Sequence, residues 1–176
     1  EEARSLLQAV CVFGSSAPTR LVLKLDIEEA SLGRATEELV DRGFLRGGSG
    51  GELLAIKHDV LAKVIHARIA PERRARLHVL ALKALEEDGE LLTVRARHAF
   101  EGMLGRRALN LLERAGDLSM RCRDHLGAAM HHYPRALHVS RFQMGYPPEN
   151  PRNLRLAIKL ARGLRLSGHL LSADMT

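Results

Sequence analysis

The sequence predicts a mainly α-helical protein, in which a short three-helix unit closed by a β-hairpin precedes a stack of helical hairpins. Three observations predict it. Aromatic residues make up only 3% of the 176 and Trp is absent, so cores must be built from Leu, Ala and Val, which suits helices packed at close distance. The run Gly47-Gly48-Ser49-Gly50-Gly51 separates two short apolar stretches and suits a hairpin tip. From Pro71 onward apolar residues recur at helical spacing, in runs about one hairpin arm long. With 45% hydrophobic and 27% charged residues, the chain can bury one large core or two small ones.

Taken in order, Ala3 to Phe13 is apolar at helical spacing through Leu6, Leu7, Val10 and Val12, and Gly14-Ser15-Ser16 supplies the stop. Pro18 and Thr19 open a short second helix around Leu21 to Leu25. Asp26 can cap a third, which carries Ile27, Leu32, Ala35, Leu39 and Val40 on one side and ends at Gly43. Phe44-Leu45 and Leu53 to Ile56 are the two strands around the glycine tip. Three helices and a β-wing make a winged-helix-like domain, expected over residues 1–70. His58-Asp59 follows the wing at a helix start, where the Asp59 carboxylate can accept backbone N–H groups and hold the turn.

Residues 71–176 form the expected second domain. Its ridges are Leu77, Leu80, Ala81, Ala84 and Leu85, then Leu91, Leu92, Val94, His98 and Ala99. A small-large-small spacing then repeats, as Ala108, Leu112 and Ala115 and as Ala129, Tyr133 and Ala136. Small residues at those steps let helices approach while the large one fills the groove, which is the packing logic of an α-solenoid. A third unit is expected at Ala157, Leu160, Ala161, Leu164, Gly168 and Ala173. These positions resemble tetratricopeptide-like helical hairpins. The step from Ala129 to Ala173 is 44 residues, where such repeats recur at about 34, and residues 140–150 (SRFQMGYPPEN) read as the inserted loop. Arg141 stands where a proline is usual in the family, and Met103-Leu104 where a Gly-Asp turn is usual.

Charge is unevenly placed. Residues 1–52 carry six Lys or Arg against nine Asp or Glu, whereas residues 53–176 carry twenty-one against twelve. The basic excess gathers in Lys57 to Lys83, in Arg95 to Arg123, and in Arg152, Arg155, Lys159, Arg162 and Arg165. Such runs usually mark solvated helix faces; an acidic protein partner or nucleic acid are the functional readings, and charge alone does not choose among the three. Aromatic residues that would stack on single strands are missing from the basic face as the sequence reads. Arg95, Arg107, Arg155 and Arg162 are the expected contacts for an acidic partner.

Catalytic readings fail on content, so no catalytic residue is assigned. The glycine-rich run lacks the Gly-Lys-Ser/Thr ending through which a P-loop meets phosphates. His131-His132, with His125 and His138 nearby, lacks a Cys or carboxylate at ligand spacing, and a metal-dependent hydrolase built on His58-Asp59 would need further His and Asp ligands beyond His66. Neither a metal nor a cofactor is expected in this chain. Cys11 lies in an apolar run where a thiolate is disfavoured, and Cys11 and Cys122 are spaced as two free thiols of a reducing cytoplasm. No segment reaches about eighteen consecutive apolar residues and no signal-peptide pattern precedes the first helix, so a cytoplasmic location without a membrane partner is expected. From the opening on EEARSLLQAV without Met and the end at SADMT within a helix pair, the chain is expected to be a piece of something longer.

Leu39-Val40-Asp41-Arg42-Gly43-Phe44-Leu45, then Ile56-Lys57-His58-Asp59, then Arg73-Arg74 through Leu77-His78, then Ala-rich hairpins form a succession that covers nearly the whole chain. It resembles the C-terminal half of signal-transducing STAND ATPases, as found in large LuxR-type transcriptional regulators and multidomain bacterial Ser/Thr kinases. The resemblance implies a non-catalytic regulatory fragment. An upstream domain of the same chain would bind ADP or ATP, the winged helix would relay its state, and the repeats would sense a partner or inducer. It also implies that His58 reaches back to the phosphates of bound ADP, supported by Asp59. The structural reading, Asp59 capping its helix and His58 packing on the wing, stands beside it. Pairing of two copies through an unfinished end of the repeats is a further expectation. The rival is a nucleic-acid-binding regulator module that uses the winged helix and basic helices. Against it, Ile27 to Arg42 carries Glu28, Glu29, Glu37, Glu38 and Asp41 and only two arginines, Arg34 and Arg42, and phosphates repel such a helix. Specific DNA binding by this chain is therefore not expected.

Overall fold

The structure, a computed structural model, describes residues 1–46, 52–89, 91–121 and 126–166. The glycine tip 47–51, Cys122, His125, Gly168 and Ala173 lie outside the described residues. Among the described residues the chain is mainly helical with one two-stranded antiparallel sheet. It divides into two compact units, Glu1–Gly89 and Glu90–Thr176.

The first unit is built around α1 (Glu2–Phe13). Leu6, Ala9, Val10 and Val12 are essentially fully buried, and Leu7 and Cys11 nearly so, so this helix is apolar almost all round, as a central helix must be. It packs on β1 (Ser16–Pro18), α2 (Thr19–Val22), α3 (Glu29–Asp41), α4 (Asp59–Arg68) and α5 (Pro71–Glu87). Val22, Leu25, Ala35, Leu39, Ile56, Leu77 and Ala81 close the core around it, and each buried Leu, Ile or Val contributes about 1.5–3 kcal/mol. Gly43, at φ +74°, ends α3 in the left-handed conformation that glycine adopts without a Cβ penalty. Pro71 opens α5 at its first turn, where a missing N–H costs no intrahelical bond. The expected boundary at residue 70 falls on the α4–α5 connection, and α5 belongs to the first unit.

Two local expectations are corrected. β2 (Leu53–Ala55) makes its ladder with β1, in the register Ser16↔Ala55, Ala17↔Leu54, Pro18↔Leu53, so the segment expected only as a helix stop and a helix start is also a strand, with Pro18 still standing at the N-cap of α2 as expected. The expected hairpin partner Leu45 contributes a single bridge to Ile56, flanked by Arg46 N–H donating to Ala55 O and Lys57 N–H donating to Phe44 O, both at 2.9 Å. Ala17 and Leu54 are buried from this small sheet, and Pro18 is tolerated at its edge. Asp26 does not cap α3: it sits at φ +56°, a region Asp tolerates, and α3 begins three residues later, with Glu28 at its N-cap.

In the second unit α6 (Leu92–Glu101), α7 (Gly105–Arg121), α8 (Leu126–His138) and α9 (Pro151–Leu166) each pack on the next. Ala108, Leu112 and Ala115 of α7 and Ala129, Tyr133 and Ala136 of α8 are all buried. The closest approach is at Gly116, where a Cβ would lie 2.5 Å from Cε1 of Tyr133. The expected inserted loop begins instead as a π turn, Val139–Gln143, continuous with α8, closed by Met144 N–H on Val139 O. On α9 the expected inward positions are corrected. Asn153, Leu156 and Gly163 are buried, whereas Ala157, Ala161 and Leu164 are exposed. Asn153 fixes this rotation by donating from Nδ2 to the carbonyls of Pro147 at 2.7 Å and Tyr146 at 3.3 Å. Gly163 completes it by admitting Met130. No helix among the described residues is long and apolar enough to cross a membrane.

Candidate interaction surfaces

His58 occupies the N-cap of α4 in extended conformation and makes no side-chain capping bond there. Asp59 is the first residue of the helix, so its carboxylate acts as a negative charge in the first turn, where the helix dipole favours it. Both side chains are exposed. Eight residues further along, His66 of α4 meets His78 of α5, Nε2 to Nε2 at 2.9 Å with the rings edge to face. One ring must donate and the other accept. His78 is buried, and nothing in the sequence spacing of the two histidines announced the contact.

In the second unit a groove of about 300 Å³ is lined by Asp117, Met120 and Arg121 of α7, Tyr133 of α8, and Lys159, Arg162 and Leu166 of α9. Its floor is internally satisfied. Tyr133 donates to Asp117 at 2.9 Å, and Lys159 donates to both Glu113 at 2.9 Å and Asp117 at 2.8 Å. Arg152 reaches Glu113 at 3.0 Å and Asn110 at 2.7 Å. Burial opposes the ammonium of Lys159, but its bonds to Asp117 and Glu113 outweigh that and hold it above the ordinary lysine value. Burial raises the Tyr133 phenol, and the Asp117 carboxylate that accepts its proton raises it further. Asp117 is thereby neutralised by Lys159, while Arg121 and Arg162 have no carboxylate partner among the described residues. The groove presents two guanidinium groups beside an apolar lip of Met120 and Leu166.

The basic run on α9 therefore splits by function. Arg152 and Lys159 cross-link α9 to α7, and Arg155 and Arg162 are exposed. Of the four arginines expected to meet a partner, Arg162 lines the groove; Arg95, half-buried on α6, Arg107, exposed in the first turn of α7, and Arg155 are not among its lining residues. Arg34 of α3 and Arg42 at its C-cap are paired with Glu2 and Glu38, each at 3.0 Å.

The sequence reading that aromatic residues are missing from the basic surface is corrected. Phe100 of α6, His138 of α8 and Phe142 of the π turn form a ladder of rings, with centroids 5.9 Å and 4.9 Å apart. The Arg135 guanidinium lies 5.4 Å from the Phe100 centroid and that of Arg141 lies 5.9 Å from Phe142. Residues 42 apart in sequence thus converge through folding, which is why composition alone hid them. Elsewhere Cys11 is buried and its thiol is pushed up to about 12 by desolvation. No group of three or more His, Cys, Asp or Glu among the described residues is arranged to hold a metal ion. No family model, curated protein or solved structure matches the chain.

Proposed function

We propose that this chain is the non-catalytic relay and protein-interaction part of a STAND-type signalling ATPase, with a winged-helix-like first unit and tetratricopeptide-like hairpins in the second. The observation that carries the reading is the groove between α7, α8 and α9, where the acids are neutralised from within and Arg121 and Arg162 remain to meet an acidic partner. A partner carboxylate accepts charge-assisted hydrogen bonds from these forks, and its binding shifts the packing of α9 on α7. In the first unit, His58 and Asp59 stand exposed at a helix N-terminus, where an imidazole and backbone N–H groups suit the phosphates of ADP or ATP held by an upstream domain of the same chain.

Calorimetric titration of the 176-residue chain with a Glu-rich peptide at about 0.15 M salt tests the interaction part. Binding weakened at least tenfold by Arg162→Glu supports it, and binding that ignores this charge reversal, or no binding, overturns it. His58→Ala in the full-length protein tests the nucleotide part separately. Faster loss of bound ADP is expected, and unchanged retention removes that part.

A further inference from the structure

We propose that the corner formed by the end of α6, the end of α8 and the π turn is a binding site for single-stranded nucleic acid, with exposed rings taking bases and arginines taking phosphates. Phe142 is 73% exposed, the highest of the exposed large hydrophobic side chains among the described residues. It is presented by a built support. Val139 and Ser140 are buried beneath the turn, Met144 N–H closes it on Val139 O at 3.0 Å, and Gln143 pins it to the α6–α7 corner by accepting from Gly105 N–H at 3.3 Å. Arg141 and Phe142 therefore project outward from a fixed backbone.

The chemistry favours a single strand over the other polyanions. His138 lies between Phe100 and Phe142, edge-on to the first and tilted 39° from the second, and the His138 and Phe142 rings are exposed. Arg135 and Arg141 sit beside the same rings, and neither has a carboxylate partner among the described residues. Nearby, Arg97 is held below the ordinary arginine value by burial, an effect that Glu101 opposes and Arg135 slightly reinforces. An acidic peptide would use the cations but gain little from the rings, and a duplex hides its bases. A single strand uses both, because every base has a face that stacks on an aromatic ring and every phosphate is met by a guanidinium. The site lies apart from the groove-lining residues and is independent of the reading proposed for them.

Fluorescence anisotropy of the 176-residue chain with a labelled uridine 20-mer, the matching duplex and a labelled Glu-rich peptide tests it. The expected result is preference for the single strand, with Phe142→Ala weakening that binding about 5- to 100-fold, the range base-aromatic stacking gives. Phe142→Tyr should retain it, and Arg141→Gln should lower the salt slope by about one ion. Peptide binding should not respond to Phe142→Ala. Equal affinity for duplex and single strand, or a Phe142→Ala change within twofold, overturns the proposal, as does a peptide whose binding depends on Phe142.

Discussion

At Gly116 a missing side chain does more than most present ones, because the Tyr133 ring occupies the space a Cβ would need. Tyr133 cannot easily yield, being buried and hydrogen-bonded to Asp117. Gly116→Ala should therefore destabilise the protein by about 1–3 kcal/mol through overpacking, overriding the gain of up to about 1 kcal/mol that alanine brings to a helix interior. Gly33 on α3 is the control, since a Cβ there meets nothing within 4 Å, and Gly33→Ala should stabilise by about 0.5–1 kcal/mol. Urea denaturation of the two variants decides this, and a stabilised Gly116→Ala would show that the ring is free to move. Cys11 offers a second residue-scale test. Its thiol is pushed up to about 12, so the native state keeps the proton that the unfolded chain releases near the ordinary thiol value. Stability from this group is full below that value and is lost as pH rises toward 12. With Cys122→Ser removing the other thiol, iodoacetamide at pH 8 should alkylate the folded chain on the order of 10³ more slowly than the denatured one, and equal rates would mean an accessible thiolate.

Elements are joined by specific polar contacts as much as by apolar faces, and the α7–α9 pair shows how these set pH dependence. Burial alone would raise the Glu113 carboxyl, yet the hydrogen bonds from Lys159 and Arg152 outweigh it and hold it below the ordinary value. A depressed carboxylate contributes stability above its unfolded pKa and loses it as pH falls through the folded one. Denaturation midpoints at pH 7 and pH 3 should accordingly differ less in Glu113→Gln than in the parent chain, with the variant already weaker at pH 7; an unchanged pH response would show that the pairs contribute nothing. Helix α1 was legible in the sequence because Leu6, Val10 and their neighbours repeat on a local period. β1 was not, because Ser16-Ala17-Pro18 reads locally as a turn and becomes a strand only by pairing with residues 53–55. The rotation of α9 was also hidden. Apolar residues flank both sides of that helix, and the choice of Leu156 over Ala157 is made by Asn153 and Gly163, whose partners come from the preceding loop and from α8. The groove was half legible: Arg162 stood out as a basic residue, but that Lys159 would be consumed by Glu113 and Asp117 depends on the spatial neighbourhood of α7.

On the scale of the whole chain, the net charge of +6 conceals two different molecules in one. Glu1–Gly89 folds around α1, with a core that runs from Ala3 to Ala81, while Glu90–Thr176 folds as a succession of helices around Ala108, Leu112, Tyr133 and Leu156. Each unit is compact by its own contacts, and local opening free energies follow cooperative units of this kind. Leu6 is fully buried, and Leu6→Ala should cost about 2–5 kcal/mol by leaving a cavity in the first core. Gly116→Ala strikes the second. Hydrogen exchange read by mass spectrometry should then show faster exchange across residues 1–89 in Leu6→Ala, with residues 90–176 near parental rates, and the reverse pattern in Gly116→Ala. Were either substitution to accelerate exchange throughout the chain, the two units would be a single cooperative structure.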